Sequence, residues 1–121
     1  MKLEELRIYQ RANEISDEIW HLVTKMSYFE KDTIGKQLAR SADSISANIA
    51  EGYGRFFYKE NRQFCFYSRG SLTETQNWLG KCNRRQIIDS ALYKKLDDQL
   101  NDLHKSLNAY IKTLGETAND N

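Results

Sequence analysis

No proline occurs anywhere in the 121 residues, and apolar side chains recur at steps of three and four through four long stretches. Nothing in such a chain obliges a helix to break, and its apolar spacing matches about 3.6 residues per turn, so long amphipathic helices are the simplest fold. The first stretch runs from about Leu3 to Met26, with Ile8, Ala12, Ile15, Ile19, Leu22 and Met26 on one stripe. The second begins near Asp32, a candidate N-cap, and ends about Gly52, where glycine suits a helix stop. The third extends from about Tyr58 to Asn83, with Phe64, Tyr67, Ser71, Glu74, Trp78 and Cys82 as its expected core stripe. The fourth spans about Asp89 to Leu114 on Leu92, Leu96, Leu100, Leu103, Leu107 and Leu114; Asp89 or Ser90 caps it and Gly115 follows its end. Each helix would be roughly 30–39 Å long. Short connections force neighbours to alternate in direction. The expected fold is all-α: an antiparallel up-down-up-down four-helix bundle, one domain over residues 1–115, with a flexible C-terminal tail at 116–121.

The second helix is unusual in having small residues on two faces. Ile34, Leu38, Ala42, Ile45 and Ile49 form its core stripe, while Arg40, Ser44, Ala47 and Glu51 lie opposite. A lone surface helix would carry long charged side chains there. Small ones suggest that another backbone approaches from outside, so Ser44, Ala47 and Glu51 are candidates for a subunit interface in a homo-oligomer. Gly52-Tyr53-Gly54-Arg55 closes the segment as a turn rather than a phosphate loop, since no strand precedes it, and Gly54 is a candidate for positive φ.

The run Ser44-Ile45-Ser46-Ala47-Asn48-Ile49-Ala50-Glu51-Gly52-Tyr53-Gly54-Arg55 resembles the signature of the 23S rRNA intervening-sequence protein family of bacterial four-helix bundles. Relatives of the accessory variability determinant of diversity-generating retroelements belong to the same group. Leu6-Arg7-Ile8-Tyr9-Gln10-Arg11-Ala12 and Arg69-Gly70-Ser71-Leu72-Thr73-Glu74 agree in order and spacing, so the resemblance covers roughly residues 4 to 114. Tyr28-Phe29-Glu30 and Ser46 stand where the family often has proline. The resemblance implies a helical bundle assembled into a ring such as a pentamer, nucleic-acid binding, and no established enzymatic activity.

Several function classes find no support in the residues. The apolar runs are too short for a transmembrane span, and Met1-Lys2-Leu3-Glu4-Glu5 has no signal-peptide core, so a cytoplasmic protein is expected, with no membrane partner. Cys65 and Cys82 lie roughly 25 Å apart on one helix, beyond disulfide reach, and are expected to be buried neutral thiols. A di-iron site of the bundle type needs Glu-x-x-His on two helices. Glu18-Ile19-Trp20-His21 supplies one such motif, but Asn101-Asp102-Leu103-His104 lacks the carboxylate and His21 faces away from the apolar stripe. No metal, cofactor or catalytic residue is therefore assigned. Glu74, placed by spacing in an apolar stripe, needs a partner if buried; Asn48 and the arginines Arg40 and Arg55 are the candidates for a buried polar contact.

Charge is distributed unevenly. Residues 36–85 hold nine basic and four acidic side chains, whereas the segments on either side are net acidic. Lys59, Arg62, Phe66, Arg69 and Thr73 line one face of the third helix, with Arg55, Phe56 and Tyr58 just before it. Cations interleaved with aromatics suit nucleic acid, because the cations neutralise phosphate and the rings stack on unpaired bases. Arg40, Arg55, Phe56, Tyr58, Lys59, Arg62, Phe66 and Arg69 are the candidate contacts to RNA or DNA. The competing expectation is a protein–protein scaffold whose exposed rings dock a protein partner and whose cations only solubilise it. Lys81, Arg84 and Arg85 extend the patch, or else simply complement the negative end of the helix dipole.

Overall fold

The computed structural model describes the backbone of residues 1–120 and the side chains of 1–115. Four long helices, α1 (Arg7–Thr24), α2 (Lys36–Tyr53), α3 (Tyr58–Arg84) and α4 (Ser90–Asp120), form a four-helix bundle, with no strand among the described residues. Ala12, Ile15 and Ile19 of α1, Leu38, Ala42, Ile45 and Ile49 of α2, and Leu96, Leu100, Leu103 and Leu107 of α4 fill the core, on the stripes their spacing predicts. Fully burying each large aliphatic side chain contributes about 1.5–3 kcal/mol. Arg11 meets Ser106 and Glu18 meets Lys95; Ser41 meets Thr75 and the Ile45 carbonyl meets Ser68. Each pairing matches rising numbers on one helix to falling numbers on the next. No described helix is long and apolar enough to cross a membrane.

The ends of two helices depart from expectation. Helical winding toward α2 starts at Ser27, not Asp32: Ser27 Oγ accepts from the Glu30 N–H at 3.2 Å while the Ser27 N–H donates to Glu30 Oε1 at 3.0 Å. A π-helical turn, Lys31–Gly35, then leads into α2, with Asp32 inside it. At the other end of the chain, α4 passes Gly115 and its backbone stays helical to Asp120. The expected tail otherwise lies outside the described residues. Gly54 is right-handed at φ −77°, and among the described residues the left-handed one is Gln86, φ 57°, in the turn after α3.

α2 ends at Tyr53, one residue past Gly52, and Gly52 lies buried in its last turn against α3. A Cβ there would sit 2.6 Å from Asn61 Oδ1, 2.9 Å from the Asn61 carbonyl oxygen and 3.0 Å from Phe64 Cβ. The same seam holds small polar side chains. Ser68 Oγ donates to the Ile45 carbonyl at 2.7 Å, and Thr75 Oγ1 lies 2.9 Å from Ser41 Oγ. This closeness sets the rotation of α3. Its buried stripe is Asn61, Cys65, Ser68, Leu72, Thr75, Leu79 and Cys82, turned by one residue, about 100°, from the expected one. Phe64, Tyr67, Glu74 and Trp78 are too bulky or too polar for so narrow a seam and stand on its outer shoulder.

Burial pushes the Cys65 and Cys82 thiols up to about 11. Both are expected to resist a thiol reagent at pH 8 in the native protein and to react at once on unfolding. The folded state keeps thiol protons that the unfolded chain releases above its ordinary value of 9.0. Melting temperature is therefore expected to hold steady below that pH and to fall between pH 9 and about 11. Rapid modification of folded protein at pH 8 would contradict the burial.

Candidate nucleic-acid interface

The two flanks of α3 carry different chemistry. Toward α4 lie Lys59, Arg62, Phe66 and Arg69, at steps of three, four and three along the helix. Arg69 places its guanidinium 5.0 Å from the Phe66 ring centroid and donates to Asn108 Oδ1 of α4 at 3.0 Å. Arg62 reaches the same helix, its Nη1 2.6 Å from where a Cβ on Gly115 would stand. Tyr58 opens this flank, close enough to Tyr110 of α4 to affect its ionisation. Among the described residues no carboxylate lies within ion-pair distance of Lys59, Arg62 or Arg69. These charges are thus left available to an anion.

Two cations of α4 stand beside this flank without having been legible as part of it in the sequence. Lys105 and Lys112 are exposed and lie about one turn to either side of Asn108, the partner of Arg69. Their signal was present as the stripe Asn101, Lys105, Asn108 and Lys112 at steps of four, three and four. Only the α3–α4 pairing adds that stripe to Lys59, Arg62 and Arg69.

The remaining candidates lie elsewhere, so the eight residues do not form one surface. Arg55 donates to Glu51 Oε1 at 2.8 Å, has Glu60 at 3.9 Å and covers the Phe64 ring at 4.8 Å. Two carboxylates therefore offset its charge on the α2 side. Arg40 stands on the outward face of α2, where Ala47 and Glu51 are exposed and Ser44 is half-buried. Phe56, 89% exposed, sits in the α2–α3 connection edge-on to Phe57 at 4.9 Å. On the α1 side of α2 the charge is opposite: Asp43 is held above the usual carboxylate range by desolvation and by Asp17 beside it.

The buried contact expected between Asn48 and Glu74 does not form. Asn48 Nδ2 donates to the Ser44 carbonyl of its own helix at 2.9 Å. Glu74 is exposed and accepts from Trp78 Nε1 at 3.1 Å. The rotation of α3 is the reason, since it moves position 74 from the core to the shoulder.

A cleft of about 450 Å³ opens between α1 and α4 and is lined by Arg11, Glu14, Ile15, Gln99, Asp102, Lys105 and Ser106. Glu18 Oε2 and Gln99 Oε1 are buried along this seam without a protein partner. The cleft mixes both signs of charge, and the Ser106 hydroxyl faces Arg11 at 3.0 Å rather than a base. It offers none of the nucleophile–base geometry that catalysis by a serine needs.

The sequence profile of the 23S rRNA-intervening sequence protein family matches residues 4–109. A crystal structure of a protein of unknown function from the S23 ribosomal protein family of Bacteroides thetaiotaomicron VPI-5482 is similar in fold. Its TM-score is 0.78 at 23% identity, over 87% of this chain and 98% of that one. No curated protein matches.

Proposed function

This chain belongs to the 23S rRNA-intervening sequence protein family, and from that premise we propose that it is a non-enzymatic, homo-oligomeric accessory protein that binds RNA or DNA through the α3–α4 flank. The observation that carries this is the set of cations with no carboxylate partner among the described residues, Lys59, Arg62 and Arg69, flanked by Lys105 and Lys112 and interleaved with Phe66. Such side chains displace counterions from phosphate, which makes binding salt-dependent. The family's name, with its reference to 23S rRNA, favours the same ligand class.

Assembly strengthens the proposal. The outward face of α2, with Ser44, Ala47 and Glu51, is the subunit contact, and a ring would repeat the weak basic flank once per protomer and so raise avidity. A pentamer is the number the family resemblance suggests.

The test is anisotropy of labelled single- and double-stranded RNA and DNA across a salt series, comparing the native protein with Arg62→Glu/Arg69→Glu. The double variant is expected to bind roughly 10- to 100-fold more weakly and to reduce the slope of log K against log salt by about 2, with unchanged mass. Equal binding by the two proteins would remove the flank from the interface. Exposed rings at Trp20, Tyr28, Phe29, Phe56 and Phe57 favour a second possibility, a scaffold for a protein partner. Binding that hardly changes with salt would support it.

A further inference from the structure

Two chain segments distant in sequence meet at the far end of the α2–α3 shoulder. Phe29, Thr33 and Ile34 of the lead-in to α2, Gln37 of α2, and Trp78 and Arg85 at the end of α3 enclose an open groove of about 370 Å³. That volume exceeds what one nucleobase needs and falls within the range of small-ligand sites, about 300–1,000 Å³.

The indole in this groove is held in place. Its Nε1–H donates to Glu74 Oε2 at 3.1 Å, and Lys81 Nζ lies 4.9 Å from the ring centroid. A hydrogen bond at the ring edge and a cation over the ring fix the orientation of Trp78 before any ligand arrives. Glu74 is therefore a positioning residue for the indole. Phe29, 74% exposed, supplies a second ring at the groove.

The polar groups match a base and its phosphate. The Gln37 side chain has no partner among the described residues and offers both a donor and an acceptor to a base edge. Arg84 and Arg85 are exposed at the C-terminal end of α3. The nearby acids are engaged locally: Glu30 caps its helical turn, Asp32 pairs with Lys36 at 3.1 Å, and Glu74 holds Trp78. Arg85 is the cation that lines the groove itself.

We infer that this groove takes one unpaired nucleobase of a single-stranded nucleic acid, stacked on Trp78, with the adjoining phosphate on Arg85. The inference rests on the nucleic-acid function proposed above, and adds to it a site on the opposite flank of α3 that selects single strands. A base within a duplex is already stacked on both faces and cannot enter.

The experiment uses full-length protein carrying Trp20→Phe, which leaves Trp78 as the sole remaining tryptophan of two. A nine-nucleotide adenine RNA, and the same strand paired with its complement, are titrated while Trp78 emission and anisotropy are read together. The single strand is expected to quench the indole and the duplex to leave it unchanged. Trp78→Ala is expected to weaken single-strand binding by about 5- to 150-fold, the range of one base–aromatic stack, with Trp78→Phe restoring most of it. Arg85→Glu, an exposed change that spares the fold, is expected to weaken it about tenfold.

Undiminished single-strand binding by both Trp78→Ala and Arg85→Glu would overturn the groove site. If Arg62→Glu/Arg69→Glu still weakens binding, the wider function survives that result. Equal quenching by single strand and duplex would also overturn the site. Wild-type protein that binds no nucleic acid at low salt would overturn both proposals together.

Discussion

Gly52→Val is expected to lower the melting temperature by about 12 °C, taking about 3 kcal/mol of overpacking at roughly 4 °C per kcal/mol. Replacing a helical glycine at an open site stabilises, since alanine is favoured over glycine by about 1 kcal/mol in a helix interior. Position 52 reverses the sign. The first added carbon would meet the Asn61 backbone carbonyl at 2.9 Å, and backbone cannot move aside as a side-chain tip can. α2 and α3 would have to separate, stretching the Ser68–Ile45 bond and the Ser41–Thr75 contact that cross the same seam. Gly54 is the internal control. A Cβ there meets nothing nearer than the Ala50 carbonyl oxygen at 3.6 Å, so Gly54→Ala is expected to be neutral or mildly stabilising. Thermal melts of the two variants side by side decide the matter, and a wild-type midpoint for Gly52→Val would mean that the seam is looser than described.

If the protein assembles through the outward face of α2 as proposed, Ala47→Arg is expected to reduce it to protomers. Ala47 is exposed in the protomer and touches no part of its own core, so a long side chain there has no folding penalty of its own. Against a second copy it does two things. It holds backbones apart where Ser44 and Ala47 would let them close, and it buries a guanidinium with no partner, which costs several kcal/mol. The change recurs at every subunit contact. Sedimentation velocity should show the mass of a single chain, with helical circular dichroism unchanged. Avidity for nucleic acid should fall with the mass even though Lys59, Arg62 and Arg69 are untouched. A variant of native mass would move the subunit contact off the outward face of α2.

Much of the bundle could be read directly from the chain. The stripes of α1, α2 and α4 were legible because each helix has one apolar stripe and a polar remainder, so periodicity admits a single orientation. α3 has two competing stripes. One is aromatic, through Phe64, Tyr67 and Trp78; the other is small, through Cys65, Ser68, Thr75 and Cys82. Ranking by hydrophobicity favours the first, and the fold buries the second. With that error went the expected Asn48–Glu74 contact. Five of the eight candidate residues, Tyr58, Lys59, Arg62, Phe66 and Arg69, lie along one flank because they are neighbours on one helix, a local relation. Arg40 and Arg55 were grouped with them by sequence proximity, which says nothing about which flank of a helix a neighbouring segment reaches.

The sequence by itself determined that there are four helices, where most of them begin and end, and which faces of α1, α2 and α4 turn inward. Those properties depend on spacing within a few turns and on the absence of proline. The tertiary structure alone decided how α3 is rotated, that Lys105 and Lys112 join its basic flank, and that Phe29 meets Trp78. These depend on how near one helix comes to another. Gly52, Ser41 and Ser68 set that distance by having too little side chain to keep α2 and α3 apart, and close packing then leaves room for only one stripe of α3 in the seam.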